Sequence, residues 1–433
     1  MPRSSKGTQW SKLDNAAKIF PANSTLRDSK VFRFSCQLTE DVDPECLQQA
    51  LEETLKSFPH YRSVLRRGLF WYFLEESDLP ATVEEEHLPI CSPLYDPDRR
   101  GLLFRVVYYR KRISLEVYHA LSDGTGALQF QRTLVYHYLV ARHLDELGSE
   151  LPILDYDASI AQKLDDSFSR HYVGSQKDDS SAIAATAAEK AYKLQGNRLS
   201  EYRLRLIEGS MPVDKLLEMA HAHNTTLTAL LAAILLTAIH EDMPVRMQRF
   251  PVVLSIPVNL RTYFESQSAR NFFGLFYAGY NFSTQSGELA DIIASLSDSF
   301  KRELTPERLA ARMNELAALE HNIFTRAIPL FLKDITLRIF GKRSERQMTA
   351  AFSNLGRISM PEPMMKYIDS FIVCSSTDKL QVCLSTFNGR LTIALTSPFA
   401  DSNIEMRFFR TLTKLGADVT INSNYYDALP LRQ

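Results

Sequence analysis

The residues at 118–126, Tyr118-His119-Ala120-Leu121-Ser122-Asp123-Gly124-Thr125-Gly126, combine side chains that can move protons with glycines that let a chain turn. Imidazole titrates closer to neutral pH than any other side chain, so His119 is suited to taking and returning a proton. Asp123 lies four residues on, near a helix start, where free backbone N–H groups favour a carboxylate. It can bond those groups, or turn away and hold a cation from elsewhere. Gly124 and Gly126 allow a tight turn and a close approach of substrate to backbone. The same spacing also describes an ordinary helix cap with a local ion pair, and so short a motif is not specific by itself.

The flanking residues define what positions His119. Residues 102–109 are β-rich, 110–112 form a polar break, and 113–118 alternate apolar and polar, so the pair reads as a hairpin. After Gly126 the apolar positions recur at helical spacing through about residue 140. His119 is therefore expected where a strand gives way to a helix.

His119-Ala-Leu-Ser-Asp123-Gly124 resembles the His-x-x-x-Asp-Gly signature of the chloramphenicol-acetyltransferase-like superfamily. That group includes alcohol acetyltransferases, hydroxycinnamoyl transferases, polyketide-associated acyltransferases and peptide-synthesis condensation domains. Pro257-Val258-Asn259-Leu260-Arg261 resembles the family segment whose arginine pairs with the motif aspartate. Asn271-Phe272-Phe273-Gly274 and Ser353-Asn354-Leu355-Gly356 resemble segments that follow in the same order. Condensation domains usually carry a second His before the motif His; Tyr118 stands there, which favours a free-standing acyltransferase.

The resemblance implies two α/β domains, each a mixed sheet flanked by helices, facing each other across a tunnel. It implies an O- or N-acyltransferase that takes an acyl thioester, acyl-CoA foremost, and an alcohol or amine acceptor, with no permanently bound cofactor. His119 would be the general base, Asp123 and Gly124 would complete the motif, and Arg261 would brace Asp123. Gly124 N–H, Ser353 or Asn354 would hold the oxyanion, with Ser353 and Asn354 lining the tunnel; a plain turn explains Ser353 and Asn354 equally well. Two other readings remain: a catalytically silent binding protein of the same fold, and amide formation on carrier-bound substrates.

The composition sets limits. The chain has 433 residues, 45% of them hydrophobic, which suffices for a large core and favours two domains. Lys and Arg number 50 against 51 Asp and Glu, so no basic excess points to nucleic acid. Cys36, Cys46, Cys91, Cys374 and Cys383 lack Cys-x-x-Cys spacing, and His137 and His143 do not share a helical face. No metal site is expected, and His60, His137 and His143 read as structural or surface residues. With no apolar signal core at the start and no span-length apolar run, a cytoplasmic protein is expected.

Along the chain, residues 11–20 read as a short helix and 31–38 as a strand. Asp43 caps a helix opened by Pro44 and ending near Phe58. Strands are expected at 65–69, 71–74 and 82–87. The polar, small-residue stretch 175–190 reads as a linker, giving domains at 1–175 and 199–433 joined by 176–198. A strand is expected at 201–208, an apolar core helix after Asn224-Thr225-Thr226, and a strand at 252–256 ending at Pro257. Another strand is expected at 275–283, a helix at 288–303, and helix from Pro306 to about 340 with a break near Pro329. Residues 323–340 are apolar with interspersed basic residues; packing on the core accounts for them more simply than contact with a membrane or a greasy acyl donor. Residues 371–374, 380–387 and 391–396 read as a meander with a hairpin turn at Asn388-Gly389, and Asp401 as the cap of a closing helix.

Overall fold

The computed structural model describes residues 10–148, 151–156, 158–172, 190–321 and 328–424. The expected linker falls largely outside them. Before it the chain forms β1 (Trp10–Lys12), β2 (Val31–Leu38), β3 (Ser63–Arg67), β4 (Tyr72–Glu76), β5 (Val83–Glu85), β6 (Phe104–Tyr109) and β7 (Arg112–Tyr118). After it come β8 (Arg205–Pro212), β9 (Val252–Asn259), β10 (Phe273–Tyr280), β11 (Ala350–Ile358), β12 (Ile368–Ser375), β13 (Leu380–Phe387), β14 (Arg390–Ser397) and β15 (Thr420–Ser423).

These strands make a five-stranded sheet, β12-β2-β7-β6-β5, a seven-stranded sheet, β10-β9-β11-β13-β14-β8-β15, and a small sheet, β1-β4-β3. Both large sheets are mixed: β5 runs parallel to β6, and β11 parallel to both β9 and β13. Each supports its own apolar cluster. The first gathers the helices Pro44–Ser57 and Gly124–Leu147 against the five-stranded sheet. The second surrounds the helix Leu227–Asp242, whose residues 229–236 are all buried. A helix apolar all round is stable only when enclosed.

Several local expectations hold. The β6–β7 hairpin is antiparallel and in register. Asp43 caps its helix by accepting from the Glu45 and Cys46 amides. Asn388 (φ 46°) and Gly389 (φ 74°) form the left-handed turn between β13 and β14. The closing helix, Asn403–Lys414, has Ser402 at its cap position and not Asp401 as expected; Asp401 stands one residue before the cap and accepts from the Asn403 amide.

Other expectations are corrected. Residues 10–12 are strand, because β1 finds a partner in β4, and the helical stretch begins as a 3-10 turn at Ala16–Lys18 and becomes α-helix at Ile19–Asn23. The strand expected at 201–208 is shifted to β8, registered by β14 across 205–212. β9 continues through Pro257 to Asn259, beyond β11, which pairs with it only at Leu254 and Ser255; a proline is tolerated where a neighbouring strand is missing. The meander is only its last two strands, since β12 leaves them to pair antiparallel with β2 in the other sheet.

The helix Leu330–Arg346 starts just after Pro329, as the break predicted, but its apolar side does not face the core. Its buried residues are Leu330, Asp334 and Gly341. Asp334 accepts from Tyr72 Oη at 3.0 Å, and Gly341 lies so close to Asn23 that a β-carbon there would fall 2.2 Å from Asn23 Oδ1. A polar and small-residue face is thus turned inward.

Candidate active site

β7 is buried along almost its whole length, and His119 follows its last residue. The His119 amide donates to Lys30 O at 2.9 Å, fixing the backbone as it leaves the sheet. Tyr118, at the position of a second histidine in condensation domains, is buried, with its hydroxyl 2.8 Å from Ser24 Oγ and its ring stacked on Tyr95. A turn closed by Leu121 N–H to Tyr118 O leads to the helix Gly124–Leu147.

Asp123 caps that helix and also takes a distant cation. Its Oδ1 accepts from Gly126 N–H at 2.9 Å; its Oδ2 accepts from Arg261 Nη1 at 2.8 Å and from Phe272 N–H at 2.7 Å. Both alternatives read from the sequence are realised, one on each oxygen. The Arg261 contact is a single bond rather than a two-pronged grip. The remaining guanidinium donors reach the carbonyls of Ser268, Arg270 and Phe272. Arg261 therefore holds the segment 268–272 against the motif.

That segment bears a residue to which sequence reasoning gave no role. Asn271 Oδ1 lies 3.2 Å from His119 Nδ1. An amide oxygen facing Nδ1 favours the proton there and leaves Nε2 with its lone pair. Asn271 is itself anchored by its amide to Asp14 Oδ2 at 3.2 Å, and its Nδ2 is buried without an acceptor among the described residues.

Three aromatic rings enclose the imidazole. Phe20 stacks on it with centroids 4.3 Å apart, Phe32 meets it edge-on at 4.9 Å, and Phe273 lies 5.4 Å away. The residue is partly buried, not sealed. Burial lowers the imidazole's pKa below the ordinary 6.5, against the raising influence of Asp123 and the bond to Asn271. The neutral ring is the form favoured at neutral pH.

The two motif glycines differ. Neither has positive φ, so the turn does not require a left-handed conformation at either. A β-carbon at Gly126 would lie 2.0 Å from Ala269 O, whereas one at Gly124 would meet only Leu355 Cδ2, at 3.5 Å. Gly126 is needed for close approach of the 268–272 segment, which Ser122 Oγ also binds through Ala269 O at 2.6 Å.

The structure does not join Ser353 or Asn354 to His119. Both are within β11, opposite Cys383 and Leu384. Asn354 donates to Thr228 Oγ1 at 2.8 Å and accepts from Gly356 N–H at 2.8 Å, so its amide is already engaged. Leu355 is the residue of this run that reaches the motif.

The other histidines lie outside this constellation. His60 is buried with neither ring nitrogen hydrogen-bonded among the described residues, and burial brings its pKa down to about 3. His143 joins Glu40 at 2.6 Å and stacks on Tyr367. Among the described residues no group of His, Cys, Asp and Glu has the arrangement of a metal site, and all five cysteines are free.

No protein-family model matches the chain, and no curated protein matches it by sequence. Solved structures do. Polyketide synthase associated protein 5 from Mycobacterium tuberculosis is 16% identical with a TM-score of 0.61, over 94% of this chain and 97% of that one. TRI101 of F. graminearum, complexed with coenzyme A and deoxynivalenol, is 10% identical with a TM-score of 0.66, over 95% and 99%. The chain has the chloramphenicol-acetyltransferase-like fold. The nonribosomal peptide synthetase FmoA3 matches 96% of this chain with 43% of its own length, at 17% identity and a TM-score of 0.60. Within this fold, His119 follows the last residue of β7 in the first sheet, Arg261 and Asn271 come from the segment joining β9 to β10 in the second, and Phe273 opens β10.

Proposed function

We propose that the protein is an acyltransferase that moves an acyl group from a thioester, of the acyl-CoA class, to an alcohol or amine. The observation that carries this reading is the placement of His119: its Nδ1 lies 3.2 Å from Asn271 Oδ1 and burial lowers its pKa, which together favour a neutral ring with Nε2 as the basic nitrogen. The acceptor and thioester would meet beside this ring in a passage between the two halves of the chain.

Nε2 takes the proton of the acceptor as its oxygen or nitrogen attacks the thioester carbonyl carbon. The new bond forms and the carbonyl electrons move onto oxygen. When that tetrahedral centre collapses, the carbon–sulfur bond breaks and the thiolate takes the proton back from Nε2. A donor for the oxyanion is the Gly124 N–H, which as a first-turn amide has no intrahelical acceptor. Asp123, bonded to Arg261 and to two amides, fixes the loop that presents His119.

Thioester turnover is measured by thiol release over a panel of alcohol and amine acceptors. His119→Ala is expected to lower kcat/KM by about 10²–10⁴-fold. Turnover near that of the unsubstituted protein would sink the mechanism. Such a chain acts where thioesters are made, and a cytoplasmic location fits the free cysteines.

A further inference from the structure

We propose that the outward face of the helix Leu330–Arg346, together with the turn at residues 68–71, docks on an anionic lipid surface. The helix is inverted relative to an ordinary surface helix. Its inner face carries Asp334 and Gly341, while Phe331, Ile335, Ile339 and Phe340 stand outward at 56%, 51%, 63% and 60% exposure. Soluble chains rarely leave contiguous apolar surface of this kind without an occupant.

The β3–β4 turn extends the patch. Leu69 and Trp71 are exposed, and the turn is tied to the helix by Leu330 N–H to Leu69 O at 2.9 Å and Lys333 Nζ to Phe70 O at 3.0 Å. Trp71 supplies the amphipathic ring that favours a membrane–water boundary.

Charge selects the occupant. Lys342 and Arg343 are exposed on the same outward side, one turn beyond Ile339. The helix's acids do not oppose them: Asp334 is buried against Tyr72 and Arg67, and Glu345 is partly buried. An apolar stripe continued by cations fits acyl chains beneath negatively charged head groups. No single described helix is long and apolar enough to cross a membrane. This inference does not rest on the acyl-transfer reading.

The test is co-sedimentation of the full chain with vesicles of phosphatidylcholine alone and of phosphatidylcholine mixed with phosphatidylserine. Binding to the mixed vesicles, weakened by salt, is expected. In a Trp10→Phe background, Trp71 emission should shift to the blue on their addition. Lys342→Gln with Arg343→Gln should weaken binding roughly 25-fold, about fivefold per cation removed. Ile335→Glu with Ile339→Glu should abolish it, and both pairs should keep an unchanged thermal midpoint because the side chains are exposed. The proposal fails if the protein stays in the supernatant, or if the variants bind as well as the parent. It fails too if the face instead holds a second copy: a dimer that Ile335→Glu with Ile339→Glu converts to monomer, without lipid binding.

Discussion

A base that works near neutral pH must be unprotonated before the acceptor arrives, and burial among Phe20, Phe32 and Phe273 favours that state at His119. The acid limb of kcat/KM is therefore expected below the ordinary histidine value of 6.5. Asn271 adjusts this in a known direction, because its bond to Nδ1 raises the pKa. In Asn271→Ala the limb should move to lower pH, with kcat down on the order of tenfold, the worth of one net hydrogen bond. In Asn271→Asp a carboxylate faces the ring, and the limb should move to higher pH. A pH–rate profile of each variant measures both displacements; a limb that stays in place would show that Asn271 has no hold on the imidazole. The base itself was legible in the sequence from His119 and its distance to Asp123. Asn271 was visible only as part of a run ending at Gly274, because its role depends on a contact 152 residues away in sequence.

At the next scale, the motif helix and the 259–272 segment form one joint, closed by Asp123 and Arg261 and made narrow by Gly126. Gly126→Ala should cost about 1–3 kcal/mol in chemical denaturation, because a methyl cannot share space with Ala269 O. Gly124→Ala, with ordinary contact to Leu355, should be neutral or slightly stabilising, since alanine favours a helix. Equal losses in both would mean the joint is not the constraint. Elements set by neighbouring residues could be read directly: the β6–β7 hairpin, the Asp43-Pro44 helix start and the Asn388-Gly389 turn. Elements set by distant partners could not. β1 depends on β4, the departure of β12 depends on β2, and the inverted Leu330–Arg346 helix takes its orientation from Asn23 and Tyr72. Phe20 is the functional case: nothing local shows that its ring will cover His119.

For the molecule as a whole, one buried carboxyl opposes folding as pH rises. Glu405 is enclosed where the closing helix meets the second sheet, its Oε1 lacks a partner among the described residues, and burial lifts its pKa from 4.5 to about 7 despite Arg205. The folded chain binds this proton more tightly than the unfolded one, so the group's contribution to stability falls as pH rises from 4.5 to about 7. Glu405→Gln should be more stable than the parent at pH 8, by on the order of 3 kcal/mol, and equal to it below about pH 4.5. Urea denaturation across that range checks the sign. The placement of β12 carries a different consequence. While a nascent chain leaves the ribosome, β2 keeps one row of amides and carbonyls bare until residues 368–375 arrive to cover it. A fragment ending at residue 198 should therefore enter the insoluble fraction when expressed alone, and co-expression of 199–433 should return it to solution. The two cores are not independent of each other: the earlier one is finished by residues made only after β8–β11 of the later one.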